Sequence, residues 1–214
     1  MGRCFVLFAI LSLFLFSSPG DVRALTIDFD YAGAPTSFLG ASALRDRYAG
    51  VLFNGPVEPT GGNNGGAILN ISTFTIPLQF GTNALAFSDL KQATLSDGGK
   101  PDWPETITFD SLWANVSIWV ASARVDQDHF SLTAYDSAGK QVDLATQDTK
   151  NVWAELSVSW AGGIKSVVLS MDKKGNDAFV ADNLVLTTEV VPEPGTMLLL
   201  GLGLIGLGIL RRRT

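Results

Sequence analysis

The chain has 214 residues, with 15 Lys or Arg against 21 Asp or Glu, one His, one Cys and a formal net charge of −6 at pH 7. Such acidity excludes nucleic acid as a partner, because phosphate binding needs a basic face. One histidine excludes a multi-histidine zinc centre, and one cysteine excludes an internal disulfide.

In chain order, Arg3 supplies a positive start, residues 4–16 are apolar, and Val22-Arg23-Ala24 has the small-residue spacing that precedes a cleavage site. Residues 1–24 therefore read as an export signal cut after Ala24. Cys4 lies at the start of the apolar stretch and leaves with it, so the mature chain is predicted to have no thiol chemistry. Residues 25–190 then make one domain's length, with ten Lys or Arg against nineteen Asp or Glu, a net charge of about −9. That balance suits a solvated, secreted surface and divalent cations.

Within this domain the apolar residues recur with period two. Phe130, Leu132 and Ala134 alternate with Ser131, Thr133 and Tyr135; Leu156, Val158 and Trp160 alternate with Glu155, Ser157 and Ser159; Val167, Leu169 and Met171 follow the same pattern. Further strands are predicted over 25–29, 51–53, 67–71, 73–80, 84–87, 105–109, 115–121, 141–145 and 179–186. Gly- and Asn-rich clusters at 59–66, 96–99, 136–139 and 173–176 mark turns between them. Helical character is limited to one turn near 41–48. Ten to twelve short strands predict an all-β, two-sheet β-sandwich of jelly-roll type.

The C-terminus is built differently. Pro192-Glu193-Pro194 can continue neither a helix nor a sheet ladder, so it predicts an exposed extended segment. Residues 195–210 are apolar and uncharged; as a helix they would span roughly 24 Å, a short match to the roughly 30 Å hydrocarbon core. Arg211, Arg212 and Arg213 follow and should stay cytoplasmic, which places the domain on the outer side of the inner membrane. This order of motif, apolar helix and arginine cluster over 191–214 resembles the PEP-CTERM sorting signal of Gram-negative bacteria that make extracellular polysaccharide. The resemblance implies processing near Pro192-Glu193-Pro194 by an exosortase, a membrane-embedded cysteine protease, after which the product goes to the cell surface or extracellular matrix. Gly195 stands where many members carry Ser or Ala. A plain tail anchor is the alternative.

The segments Thr26-Ile27-Asp28-Phe29-Asp30, Leu132-Thr133-Ala134-Tyr135-Asp136 and Ala181-Asp182-Asn183-Leu184 resemble the jelly-roll ectodomains common among such proteins, which are similar to carbohydrate-binding modules. The resemblance implies a structural calcium held by Asp28, Asp30 and Asp182 in the first and last strands. Clustered carboxylates repel unless a cation sits between them, and calcium takes six to eight oxygens; the alternative is an ordinary solvated acidic face. Asp126 and Asp128 form a weaker acidic pair.

If 113–121 is one unbroken strand, Trp113, Asn115 and Trp119 share its more polar face and form a glycan-stacking platform, up to ~20 Å long at ~3.3 Å per residue. The alternative is that loops bury these rings. Trp160 reads as core. His129 follows Asp128, but no Gly-x-Ser-x-Gly elbow accompanies it, so no catalytic residue is assigned. The expected product is a non-catalytic glycan-binding or structural module with extracellular polysaccharide as partner. A hydrolase of matrix polysaccharide, needing only two carboxylates at a set distance, and a protein–protein interaction module are the alternatives.

Overall fold

A computed structural model describes residues 23–31, 33–34, 36, 42–55, 65–72, 74, 76–87, 104–122, 127–172 and 179–188. Residues 1–22 of the predicted export signal, Trp103, Asp126 and the C-terminal tail lie outside the described residues, whereas Ala24, the last residue of that signal, begins β1. Ten strands follow in order: β1 (Ala24–Ile27), β2 (Ser42–Ala43), β3 (Val51–Gly55), β4 (Ala67–Asn70), β5 (Asn83–Phe87), β6 (Glu105–Ser122), β7 (Asp128–Tyr135), β8 (Gln141–Thr149), β9 (Ala154–Met171) and β10 (Phe179–Thr187). Every pairing between them is antiparallel, and the described residues contain no helix. The protein is an all-β sandwich.

The frame is the pair β6 and β9, each 18 residues long. At ~3.3 Å per residue an unbent strand of that length would run about 60 Å, whereas a compact domain of this size is roughly 40 Å across. Both strands therefore bend, and the register shows where. Thr108 pairs with Ser166, Trp113 with Ile164 and Asn115 with Ser159. Five residues advance on β6 against two on β9, then two against five, so each strand bulges opposite its partner's tight side. Gly162 and Gly163 occupy the β9 bulge; Gly163 has φ +90° and a side chain there would run into Leu112, so the bend requires glycine.

Beyond the bend, each strand changes layer. One layer holds β3, the first half of β6, the second half of β9, β7 and β8; the other holds β1 and β5 beside β10, then the second half of β6 and the first half of β9. Phe29, Phe53, Phe109 and Phe130 meet Val116, Ile118, Leu156 and Val158 in the core between them. A smaller cluster of Leu69, Ile71, Ile76, Ala84, Ala121 and Val180 lies apart from this core, with Phe74 and Trp153 packed against it.

The predicted strand pairs 105–109 with 115–121, and 156–160 with 167–171, are each one continuous strand. The described residues of 73–80 (74 and 76–80) contain no strand: Asn70 Oδ1 accepts from Ser72 N at 3.1 Å, turning the chain out of β4, and Pro77 has no donor for a ladder. Ser42–Ala43 is a two-residue strand where a helical turn was predicted. Glu105 is buried and accepts from the backbone of Gly55 at 3.0 Å and Gly66 at 3.2 Å, tying the end of β3 to the approach to β4.

The bulges also shift side-chain parity, which corrects the tryptophan assignments. Trp113 is only 8% exposed and sits in the main core. Trp119, beyond the second register slip, faces away from that core. Trp160, predicted as core, is 44% exposed because it falls in the bulge rather than in the alternating stretch before it. Trp113→Ala is expected to cost about 3–5 kcal/mol through lost burial and a cavity. Trp160→Ala should stay within about 1 kcal/mol of wild type in urea unfolding, as surface substitutions do. Equal losses would show that the bend is misplaced.

Candidate functional site

Strand β10 carries two partners in succession along the same edge. Ala181 pairs with Leu85 of β5, whereas residues 184–187 pair with β1, from Leu184 opposite Ile27 to Thr187 opposite Ala24. Between these partners the register of β10 against β6 slips at Asp182–Val185, and Asn183 takes φ 51°. At the facing end of β1, Phe29 takes φ 58°. These two left-handed residues turn the backbone so that Asp28, Asp30 and Asp182 approach one junction of β1, β5 and β10.

Each carboxylate is held differently. Asp30 accepts from Thr82 N at 3.0 Å and from Asn83 Nδ2 at 2.5 Å, clamping the chain after β1 to the start of β5. Gly81 permits this clamp, since a side chain there would occupy the position of the Asp30 carboxylate. Asp28 accepts from the backbone of Asp30 at 3.2 Å. Asp182 is 1% exposed; its Oδ1 accepts from Asn183 N at 2.6 Å and its Oδ2 has no hydrogen-bond partner among the described residues. Burial pushes the Asp182 carboxyl up to about 8, against the opposing Asn183 hydrogen bond, and the charges of Asp30 and Asp28 push the same way.

Other buried oxygens at this junction also lack partners among the described residues: Asn83 Oδ1, Tyr31 OH and Tyr48 OH. The Tyr48 phenol is pushed up to about 12 by burial first and by Asp28 next. Arg47 lies 3.8 Å from the centre of the Tyr31 ring, and Tyr31 packs edge-on against Tyr48. The three predicted aspartates are thus brought together, yet among the described residues no three His, Cys, Asp or Glu side chains close on a common metal position. As placed, they fall short of a calcium shell of six to eight oxygens.

The predicted glycan residues are not brought together. Trp113 is a wall of a pocket of about 240 Å³ that also involves Arg23, Leu25, Gly50 and Ser111. Asn115 donates to Ser157 Oγ at 3.3 Å. Trp119 packs against Phe80 at 5.3 Å between ring centres, Phe80 packs edge-on against Trp153 at 5.7 Å, and Trp153 Nε1 donates to the Pro77 carbonyl at 2.7 Å. The segment around Pro77–Phe80, itself predicted as a strand, therefore covers the Trp119 face.

Asp128 is buried at the start of β7. Its neighbour His129 points outward and meets Asp148 of β8 at 2.6 Å on an exposed face. Ser131, on the same face as His129, is engaged with Ser170 at 2.7 Å. Two features were missed from the sequence. Glu105 had no signal beyond its strand position. Trp160 did have one, the Gly162-Gly163 pair two residues on, which marks a break in the alternation.

Comparison with known proteins adds the following. No characterised protein matches the sequence as a relative. The K2 cleaved adhesin domain of Lys-gingipain is 12% identical over 77% of this chain and 99% of its own, with a TM-score of 0.42. A family 29 carbohydrate-binding module is 12% identical over 78% of this chain and 93% of its own, with a TM-score of 0.37. The CBM22-1 xylan-binding domain from Paenibacillus barcinonensis is 12% identical over 78% and 95%, with a TM-score of 0.31. Residues 190–213 match the PEP-CTERM protein-sorting motif, so this chain carries that C-terminal sorting signal.

Proposed function

We propose that the protein is an exported bacterial surface or matrix protein, processed by an exosortase, whose sandwich is a non-catalytic module that binds or organises extracellular polysaccharide. The observation that carries the reading is the sorting motif over residues 190–213, which joins a membrane-directed tail to an acidic all-β domain. In this reading residues 195–210 cross the inner membrane, Arg211, Arg212 and Arg213 hold its cytoplasmic end, and Pro192-Glu193-Pro194 is presented on the outer side. With Trp113 buried in the core and Trp119 half-buried against Phe80, the glycan contact lies elsewhere on the sandwich.

A second reading concerns the aspartate junction, and the unpartnered Asp182 Oδ2 and Asn83 Oδ1 favour it. Both are acceptors without donors, and a proton or a hard cation such as calcium relieves that shortage. The two compete for one carboxyl: the cation enters when Asp182 is ionised and is excluded while it is protonated.

Three expected outcomes follow. Glu193→Ala should abolish processing in an exosortase-containing strain while membrane insertion persists, because the apolar run and the arginines are unchanged; normal processing would remove Glu193 from the signal. The purified domain on a glycan array should retain neutral or basic polysaccharides rather than polyanionic ones, given its net charge of about −9; an array without hits leaves a structural role.

The third outcome is a pH dependence. The folded state holds the Asp182 proton up to about pH 8, whereas the unfolded chain releases it near 3.8. In chelator, the Asp182 contribution to stability should therefore be fully present below about pH 3.8 and be lost as pH rises towards 8. Asp182→Asn should flatten this slope. Millimolar calcium should raise the unfolding midpoint above pH 8 and leave it unmoved near pH 5. No calcium effect at either pH would assign the junction to the proton alone.

A further inference from the structure

The two ends of the domain leave from one place. Leu25, the first residue after the predicted cleavage site, pairs with Leu186 of β10, 161 residues further along the chain. The same end of the sheet contains the bend, since Thr187 pairs with Asn115 and Asn115 pairs with Ser159. Leu25 shares a pocket with Ser111 and Trp113. The bend therefore lies beside the point where the chain departs for its tail.

At this bend two large apolar side chains face outward: Leu112 is 47% exposed and Trp160 is 44% exposed. They rest on adjacent glycines. A side chain on Gly162 would come within 2.5 Å of Trp160 Nε1, and one on Gly163 within 2.7 Å of Leu112 Cβ. The indole thus lies against the Gly162 backbone on one side and faces solvent on the other. An exposed Trp beside an exposed Leu at the end of a sandwich is an amphipathic knuckle, the kind of group that settles at the headgroup level of a bilayer.

We propose that, before processing, this knuckle docks on the lipid–water interface and seats the domain on the outer face of the membrane. The inference rests on the reading of residues 195–210 as a membrane segment. Only six residues, 189–194, separate Thr188 from Gly195, so the departing end stays within about 25 Å of the bilayer. One Trp and one Leu would hold a free domain on lipid only fleetingly. A short tether turns that contact into an intramolecular event at high effective concentration, and weak contacts then suffice. Docking fixes the height of Pro192-Glu193-Pro194 above the membrane, where a membrane-embedded protease meets it.

The test uses the chain with its tail in phosphatidylcholine vesicles, with flotation reporting insertion and lipid brominated near the headgroup reporting depth through tryptophan quenching. Trp160 is one of five tryptophans, so headgroup-level bromolipid should remove roughly a fifth of the emission from wild type. The Trp160→Phe chain should lose most of that quenching, and Leu112→Ser should weaken it with the unfolding midpoint unchanged. Equal quenching of wild type and Trp160→Phe in floated vesicles would overturn docking while leaving the membrane segment intact. Failure to float would overturn the segment and docking together. If a soluble neutral β-glucan shifts Trp160 emission while bromolipid leaves it untouched, the knuckle is a sugar platform and the docking proposal fails.

Discussion

The opposed bulges of β6 and β9 are where the sheet becomes a sandwich. A pair of 18-residue strands has enough hydrogen bonding to run straight through, and a straight pair would leave one face of Ile107, Phe109, Val167 and Leu169 in water. Each bulge forfeits ladder bonds locally, and in exchange both halves of both strands bury their apolar faces against one another. Which side chains are core and which are surface is decided at this corner, because a register slip moves a residue to the opposite face.

This explains what was legible in the sequence. Strands with unbroken alternation, such as 130–135 and 167–171, lie close to where the pattern places them, since period-two burial is the physical cause of the pattern. The tryptophans on either side of the corner were not legible. Counting parity from Trp113 to Trp119 assumes a continuous pleat, and the slip between Trp113 and Asn115 breaks it. Trp160 failed for the same reason on the partner strand. Residues 73–80 alternate in sequence, but the Asn70–Ser72 turn and Pro77 redirect the segment 76–80 across a sheet face, a tertiary choice that alternation cannot register.

The aspartate junction shows another limit. That Asp28, Asp30 and Asp182 would meet followed from pairing the first strand with the last, and the pairing of Ile27 with Leu184 is of that kind. What each does there depended on partners that no motif announces. Thr82 and Asn83 occupy Asp30, the backbone of Asn183 takes one oxygen of Asp182, and burial leaves the other oxygen without a donor. Three identical residue types thus have three different environments, set by a left-handed Phe29, a left-handed Asn183 and a close-approaching Gly81.

The pairing of β1 with β10 has a consequence for the order of events during export. β1 is the first part of the domain to cross the membrane, and the strand it pairs with is the last. Until residues 179–187 have emerged, β1 has no partner, β6 lacks the neighbour its second half needs, and the aspartate junction has no Asp182. The sandwich therefore cannot close fully until the end, and its longest loop closure, between residues 24–27 and 184–187, comes last. Its final strand, ending at Thr187, emerges just ahead of the sorting motif over residues 190–213, so the fold is completed only as that signal arrives.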